Sequence, residues 1–70
     1  MAAYDYQNQV WREGVGGAKL VVDQLSETLR LLRGERGNEY AAFLGVMPGE
    51  LQGFIASLEK QGKEAQEELS

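Results

Sequence analysis

The chain has 70 residues with no cysteine and no histidine, which excludes a disulfide framework, a zinc site of the usual kind and a nucleophile–base pair built on thiol or imidazole. Eleven acidic residues against seven basic ones leave a net charge of −4. Through residue 33 the charges balance, so the acidic surplus falls in the second half, where only Arg36, Lys60 and Lys63 are basic; this distribution disfavours nucleic acid as a partner.

One domain is the most that this length supports. A chain this short buries only about 60% of the surface its unfolded form exposes. Small scaffolds without covalent staples often complete their core by oligomerising, so a homodimer is expected. No run approaches the roughly 18 apolar residues that span a bilayer. Met1 to Tyr6 lacks the basic start and apolar stretch of a signal peptide. The expectation is a soluble, cytoplasmic protein with no membrane partner.

The first predicted element covers residues 1–33 and is a long helix, continuous or broken, used for dimerisation. From Trp11 the series Trp11, Val15, Ala18, Val22, Leu25, Leu29 and Leu32 alternates spacings of four and three, which is a heptad seam. Val10, Val21 and Leu31 widen the apolar face, so it is expected to touch the C-terminal half as well as a second chain. Gly14-Val15-Gly16-Gly17 interrupts the pattern. Each interior glycine costs a helix about 1 kcal/mol against alanine, so the stretch is either a break between helices 4–13 and 18–33 or a close crossing or hinge. Trp11 fits the seam as core; Tyr4 and Tyr6 are either core or a partner's hot spot. Arg33 then Gly34 make a credible stop, with the glycine free to turn left-handed.

The second element starts at Asn38, a good N-cap, with Glu39 in its first turn and Gly45 as its end. The third follows Val46-Met47. Pro48 suits a first helical position, Glu50 can close a capping box, and Leu51, Phe54, Ile55 and Leu58 recur at helical spacing. Residues 62–70 are expected to fray as an acidic tail, with Glu59–Lys63, Lys60–Glu64 and Lys63–Glu67 paired along a solvated face.

Two short helices around a glycine turn form a recognisable unit. The stretch Tyr40-Ala41-Ala42-Phe43-Leu44-Gly45-Val46-Met47-Pro48-Gly49-Glu50-Leu51-Gln52-Gly53-Phe54 resembles the helix-turn-helix of the phage-repressor type, over residues 37–56. Ala41 matches the family's small residue, Leu44 and Val46 its apolar positions around the turn Gly45, and Leu51 and Phe54 the anchors of its second helix. Read without the resemblance, the same residues are the core of a generic helical hairpin. The fold class expected is all-α: a long N-terminal helix followed by a helix-turn-helix, dimeric through Trp11, Val15, Ala18, Val22, Leu25, Leu29 and Leu32.

The resemblance implies base-facing positions at Met47, Pro48, Gly49, Gln52, Gly53 and Ala56. Only Gln52 can hydrogen-bond a base edge, and Glu50 would repel phosphate. Phosphate contacts would fall to Arg33, Arg36, Lys60 and Lys63. The leading expectation is therefore a protein-directed inhibitor or adaptor of a transcriptional regulator. It would bind through Met47, Pro48, Gly49, Glu50, Gln52, Gly53 and Ala56, with Glu35 and Glu39. Small phage-encoded inhibitors of host regulators supply the analogy. The alternative is a DNA-binding transcriptional regulator. Enzymatic chemistry is not expected: the acids after residue 58 look like a solvated helix face, and residues 14–17 lack the strand and Lys-Ser/Thr ending of a phosphate loop. No cofactor, metal or small-molecule substrate is expected.

Overall fold

The structure, a computed structural model, describes residues 3–14 and 17–69. It corrects the all-α expectation. The long N-terminal helix is replaced by a two-stranded antiparallel sheet, β1 (Ala3–Asp5) and β2 (Val10–Arg12), and helix begins only at α1 (Gly17–Leu32). α2 (Gly37–Phe43), a single 3-10 turn over Pro48–Glu50 and α3 (Leu51–Leu69) complete the order.

Aromatic and β-branched residues explain the hairpin. Tyr4, Tyr6, Val10 and Trp11 favour a pleated, half-buried surface over a helix. Tyr4 lies opposite Trp11 in the register. Their rings meet edge to face with centroids 5.3 Å apart, and Tyr6 adds a second edge contact to Tyr4 at 4.8 Å. Asp5 organises the connection. Its carboxylate accepts from the amides of Gln7 (3.1 Å) and Asn8 (3.2 Å) and from the Asn8 side-chain amide (2.9 Å). These bonds hold its pKa below the ordinary aspartate value, the Asn8 side chain contributing most. Gln9 closes the loop in the left-handed region, φ +57°, the conformation that realigns a longer hairpin loop with its second strand.

The expected break at Gly14–Gly17 does separate two elements, and Gly17 turns the chain at φ +64°. Val15, expected on the dimer seam, lies outside the described residues. The rest of that seam is spent within one chain. Ala18, Leu25 and Leu32 are buried, Val22, Leu29 and Trp11 are half-buried, and all but Ala18 join one core with Ala41, Leu44, Val46, Phe54 and Leu58. A heptad stripe and the 3.6-residue stripe of an ordinary core helix drift apart by only about 20° per heptad. Over a 16-residue helix the two are indistinguishable by sequence, and here α3 rather than a second chain covers the stripe. Thr28 is fully buried on the same face, and its hydroxyl has no hydrogen-bond partner among the described residues.

α1 ends one residue before Arg33, but Gly34 is not left-handed; its amide bonds back to the Leu31 carbonyl at 3.2 Å. α2 starts at Gly37 without a side-chain cap, so Asn38 is not the N-cap. The reason is Gly37, which is buried against the end of α1 where any β-carbon would overlap the Leu32 carbonyl. α3 runs helical to Leu69, with Ala65 buried at 8% exposure and residues 66–69 exposed. The expected Lys–Glu pairs along it are not formed, and Glu59 instead meets Arg33, just past the end of α1, at 2.6 Å. No single helix among the described residues is long and apolar enough to cross a membrane; only α2 and Pro48–Leu69 taken together, bent by 102°, reach the length and composition.

Candidate protein-binding site

The α2–α3 joint turns at Gly45, the glycine expected to end α2. α2 ends in a Schellman arrangement: Gly45 takes φ +81°, its amide bonds the Ala42 carbonyl at 3.0 Å, and the Val46 amide reaches the Ala41 carbonyl at 2.9 Å. Ala41 and Val46 pack as its apolar pair, both nearly inaccessible. Met47 is extended, and Pro48 opens the 3-10 turn, where its missing N–H leaves no bond unmade. Glu50 forms no capping box. Its amide bonds the Met47 carbonyl at 2.9 Å, and Met47, standing at the cap, has no oxygen to answer with.

The hairpin docks against this joint at three points. The Tyr4 hydroxyl donates to the Leu44 carbonyl (3.1 Å), Gln9 Nε2 donates to the Gly45 carbonyl (3.1 Å), and the Gln61 side chain of α3 bonds both the amide (3.3 Å) and the carbonyl (2.5 Å) of Trp11. Burial raises the Tyr4 pKa above the ordinary phenol value. The hydroxyl therefore stays a donor across the physiological range.

Between the hairpin loop and the first turns of α3 lies an open groove of about 390 Å³, lined by Asn8, Gln9, Gly49, Glu50, Gly53, Phe54 and Ser57. Gly49 and Gly53 leave its wall without side chains, and a β-carbon at either would meet nothing. Of the expected partner-binding residues, Gly49, Glu50 and Gly53 line this groove; Met47, Pro48, Gln52 and Ala56 are exposed on the same segment but outside it. Met47 stands out at 67% exposure. Glu39 belongs elsewhere, lining a second hollow with Leu31, Arg36, Tyr40 and Phe43, and Glu35 is exposed in the α1–α2 connection and lines neither. Asn8, Gln9 and Ser57 were not expected at the site. The hairpin loop brings the first two, and Ser57 follows Gly49 and Gly53 at four-residue steps from the 3-10 turn into α3, a signal that sequence spacing does carry.

Charge around the joint is sparse. Arg33 and Arg36, two of the four residues suited to phosphate, are already held by Glu59 (2.6 Å) and Glu39 (3.0 Å). Arg12, Lys19 and Arg30 are likewise paired, with Asp5, Asp23 and Glu27. The Glu27 carboxyl is held below its usual range by its hydrogen bond to Arg30. Such exposed pairs add little to stability, but every one places a carboxylate beside its cation. Among the described residues Lys60 and Lys63 are the basic groups that form no ion pair, against Glu13, Glu35, Glu50, Glu64, Glu67 and Glu68. The described residues contain no group of three or more acidic side chains arranged to hold a metal ion.

Comparison of the chain with protein-family models, with curated proteins and with solved structures finds no match.

Proposed function

We propose that this chain is a small regulatory module that binds another protein through the α3 groove and the exposed Met47 turn beside it, as an inhibitor or adaptor of a transcriptional regulator in the cytoplasm. One observation carries the reading. The front of α3, where a helix-turn-helix would meet nucleic acid, presents Glu50 and neutral groups, with no cation between Arg36 and Lys60. DNA affinity comes largely from cations that displace counterions from phosphate, and Arg33 and Arg36, the two before the motif, are engaged by carboxylates. A groove walled by two glycines and rimmed by Asn8, Gln9 and Ser57 suits a polypeptide segment instead, because a partner backbone can approach closely and find neutral donors and acceptors. Met47 supplies an adaptable apolar contact next to it.

A second reading, a DNA-binding regulator, is favoured by the 102° bend between α2 and the Pro48–Leu69 segment, within the range of helix-turn-helix units. One pair of measurements separates the two. Fluorescence anisotropy with mixed-sequence duplex over a salt series should show no binding even at about 50 mM salt. A photo-crosslinker at Met47 should capture a protein from host extract, and Gly53→Trp, which fills the groove, should abolish that capture. Tight duplex binding that weakens steeply with salt, together with crosslinking indifferent to Gly53→Trp, would overturn the protein-binding reading.

A further inference from the structure

We infer that the partner segment enters as a third strand on the open edge of β2, between β2 and α3, with a lysine or arginine against Glu13, Glu64 and Glu68. The inference rests on the reading of the α3 groove as a polypeptide site, and it names the form and charge of what that groove takes.

β2 pairs with β1 on one side, and no strand among the described residues lies on its other side. Trp11 stands opposite Tyr4. Its amide donates to Gln61 Oε1, and its carbonyl accepts from Gln61 Nε2. A strand residue whose two backbone groups both point away from its antiparallel partner sits at a non-hydrogen-bonded position, with a donor and an acceptor free for a further strand. Here the Gln61 carboxamide fills that place. A carboxamide carries the same donor and acceptor as a peptide group, so Gln61 stands where the main chain of an added strand would bond. It does so at the end of a side chain that rotates away without disturbing α3.

The space follows the same edge. Ser57 lines both the α3 groove and a second hollow of about 320 Å³ that includes Val10, Arg12 and Lys60. Gln61 and Glu64 line this second hollow and a third, of about 180 Å³, that includes Trp11, Glu13 and Glu68. From Glu50 to Glu68 the seam runs along α3 for about 27 Å, the length of about eight extended residues. Charge fixes one end of the occupant. Glu13, Glu64 and Glu68 meet at the third hollow and form no ion pair among the described residues. A lysine or arginine gains charge-assisted bonds there, and an acidic residue is repelled. Strand addition takes affinity from main-chain bonds and selectivity from pockets beside the edge; the seam provides both.

The probe is a peptide of alternating threonine and valine, about eight residues long with arginine at each end, titrated into isotope-labelled protein and followed by NMR. The expected result is a Kd below about 1 mM, with the Gln61 side-chain amide moving to its solvent-exposed position and the Trp11 backbone amide exchanging more slowly. The same peptide with N-methylated backbone amides, or with glutamate at each end, should not bind. Glu64→Gln should weaken binding by about two- to five-fold. Glu35→Gln, the same charge change at a residue that lines none of the three hollows, should leave it unchanged. Binding that leaves the Gln61 amide in place, or that the N-methylated peptide matches, would overturn strand addition and leave the groove reading standing. So would failure of the arginine-ended probe to bind while capture at Met47 remains sensitive to Gly53→Trp. Neither probe binding nor that capture would overturn both.

Discussion

Gly37→Ala and Gly53→Ala are the same chemical change, and the structure assigns them opposite signs. At Gly37 a β-carbon would overlap the Leu32 carbonyl oxygen and sit 2.9 Å from the Leu32 carbonyl carbon. Reaching ordinary contact with that oxygen means parting the end of α1 from the start of α2 by more than about 1 Å. The obstacle is backbone, not a side chain that can swing away. The separation loosens Leu32 and Ala41, both at 3% exposure or less. Overpacking of this kind costs about 1–3 kcal/mol, partly offset by the lower chain entropy of alanine in the unfolded state, worth about 0.4–1 kcal/mol. The net is a loss of about 1–2 kcal/mol, or a Tm lowered by roughly 5–15 °C in a domain of this size. Gly53 is helical, exposed and open, with nothing within 4 Å of a β-carbon, so alanine there should gain about 0.5–1 kcal/mol. Urea denaturation monitored by helical circular dichroism reads both. Equal signs for the two variants, or a Gly37→Ala stability within about 0.5 kcal/mol of wild type, would refute the packing argument.

Thr28→Val should stabilise by about 1 kcal/mol in the same assay, since it removes a buried hydroxyl that bonds nothing; a loss would mean that the hydroxyl has a partner in solution. Leu58, at 0% exposure in the centre of the core, should cost about 2–5 kcal/mol as alanine, enough to unfold much of the population. Gln61→Ala should free the hairpin from α3 by removing both bonds to the Trp11 backbone, read as a red shift of Trp11 emission with helicity retained. Asp5 has a folded-state pKa below its unfolded value, so its contribution to the hairpin is complete above the ordinary aspartate pKa and is lost as pH falls through the lowered one. Amide resonances of Gln7 and Asn8 should move in that acidic window and not between neutral pH and pH 5; Asp5→Asn should flatten the titration.

The parts of the fold legible in the sequence are those fixed by a few local residues. Gly45 marks the left-handed end of α2, Pro48 the start of the next turn, and Ala41, Leu44, Val46, Phe54 and Leu58 the core between them. The N-terminal third was misread because Trp11 happens to stand seven residues before Ala18. That coincidence of period hides the stronger local signal, Tyr4 and Tyr6 on one side of Gln7-Asn8 and Val10-Trp11 on the other. Capping rules pointed to Asn38 and Glu50, but the close approach of Gly37 to Leu32 sets where α2 begins. Half of the groove was legible in Gly49, Glu50 and Gly53. Asn8 and Gln9 were not, because a loop some forty residues away reaches the site only through tertiary hydrogen bonds such as Gln9 to Gly45.

Two strands of three residues each do not hold together in water unaided. The hairpin persists through its attachments at Leu44, Gly45 and Gln61, so its detachment is an opening below global unfolding, and its amides should exchange hydrogen sooner than those of α1 and α3. One wall of the groove is therefore conditional. A ligand that touches Asn8 and Gln9 is thermodynamically linked to closure of the hairpin, and slower exchange at Trp11, in the middle of β2, would register its binding.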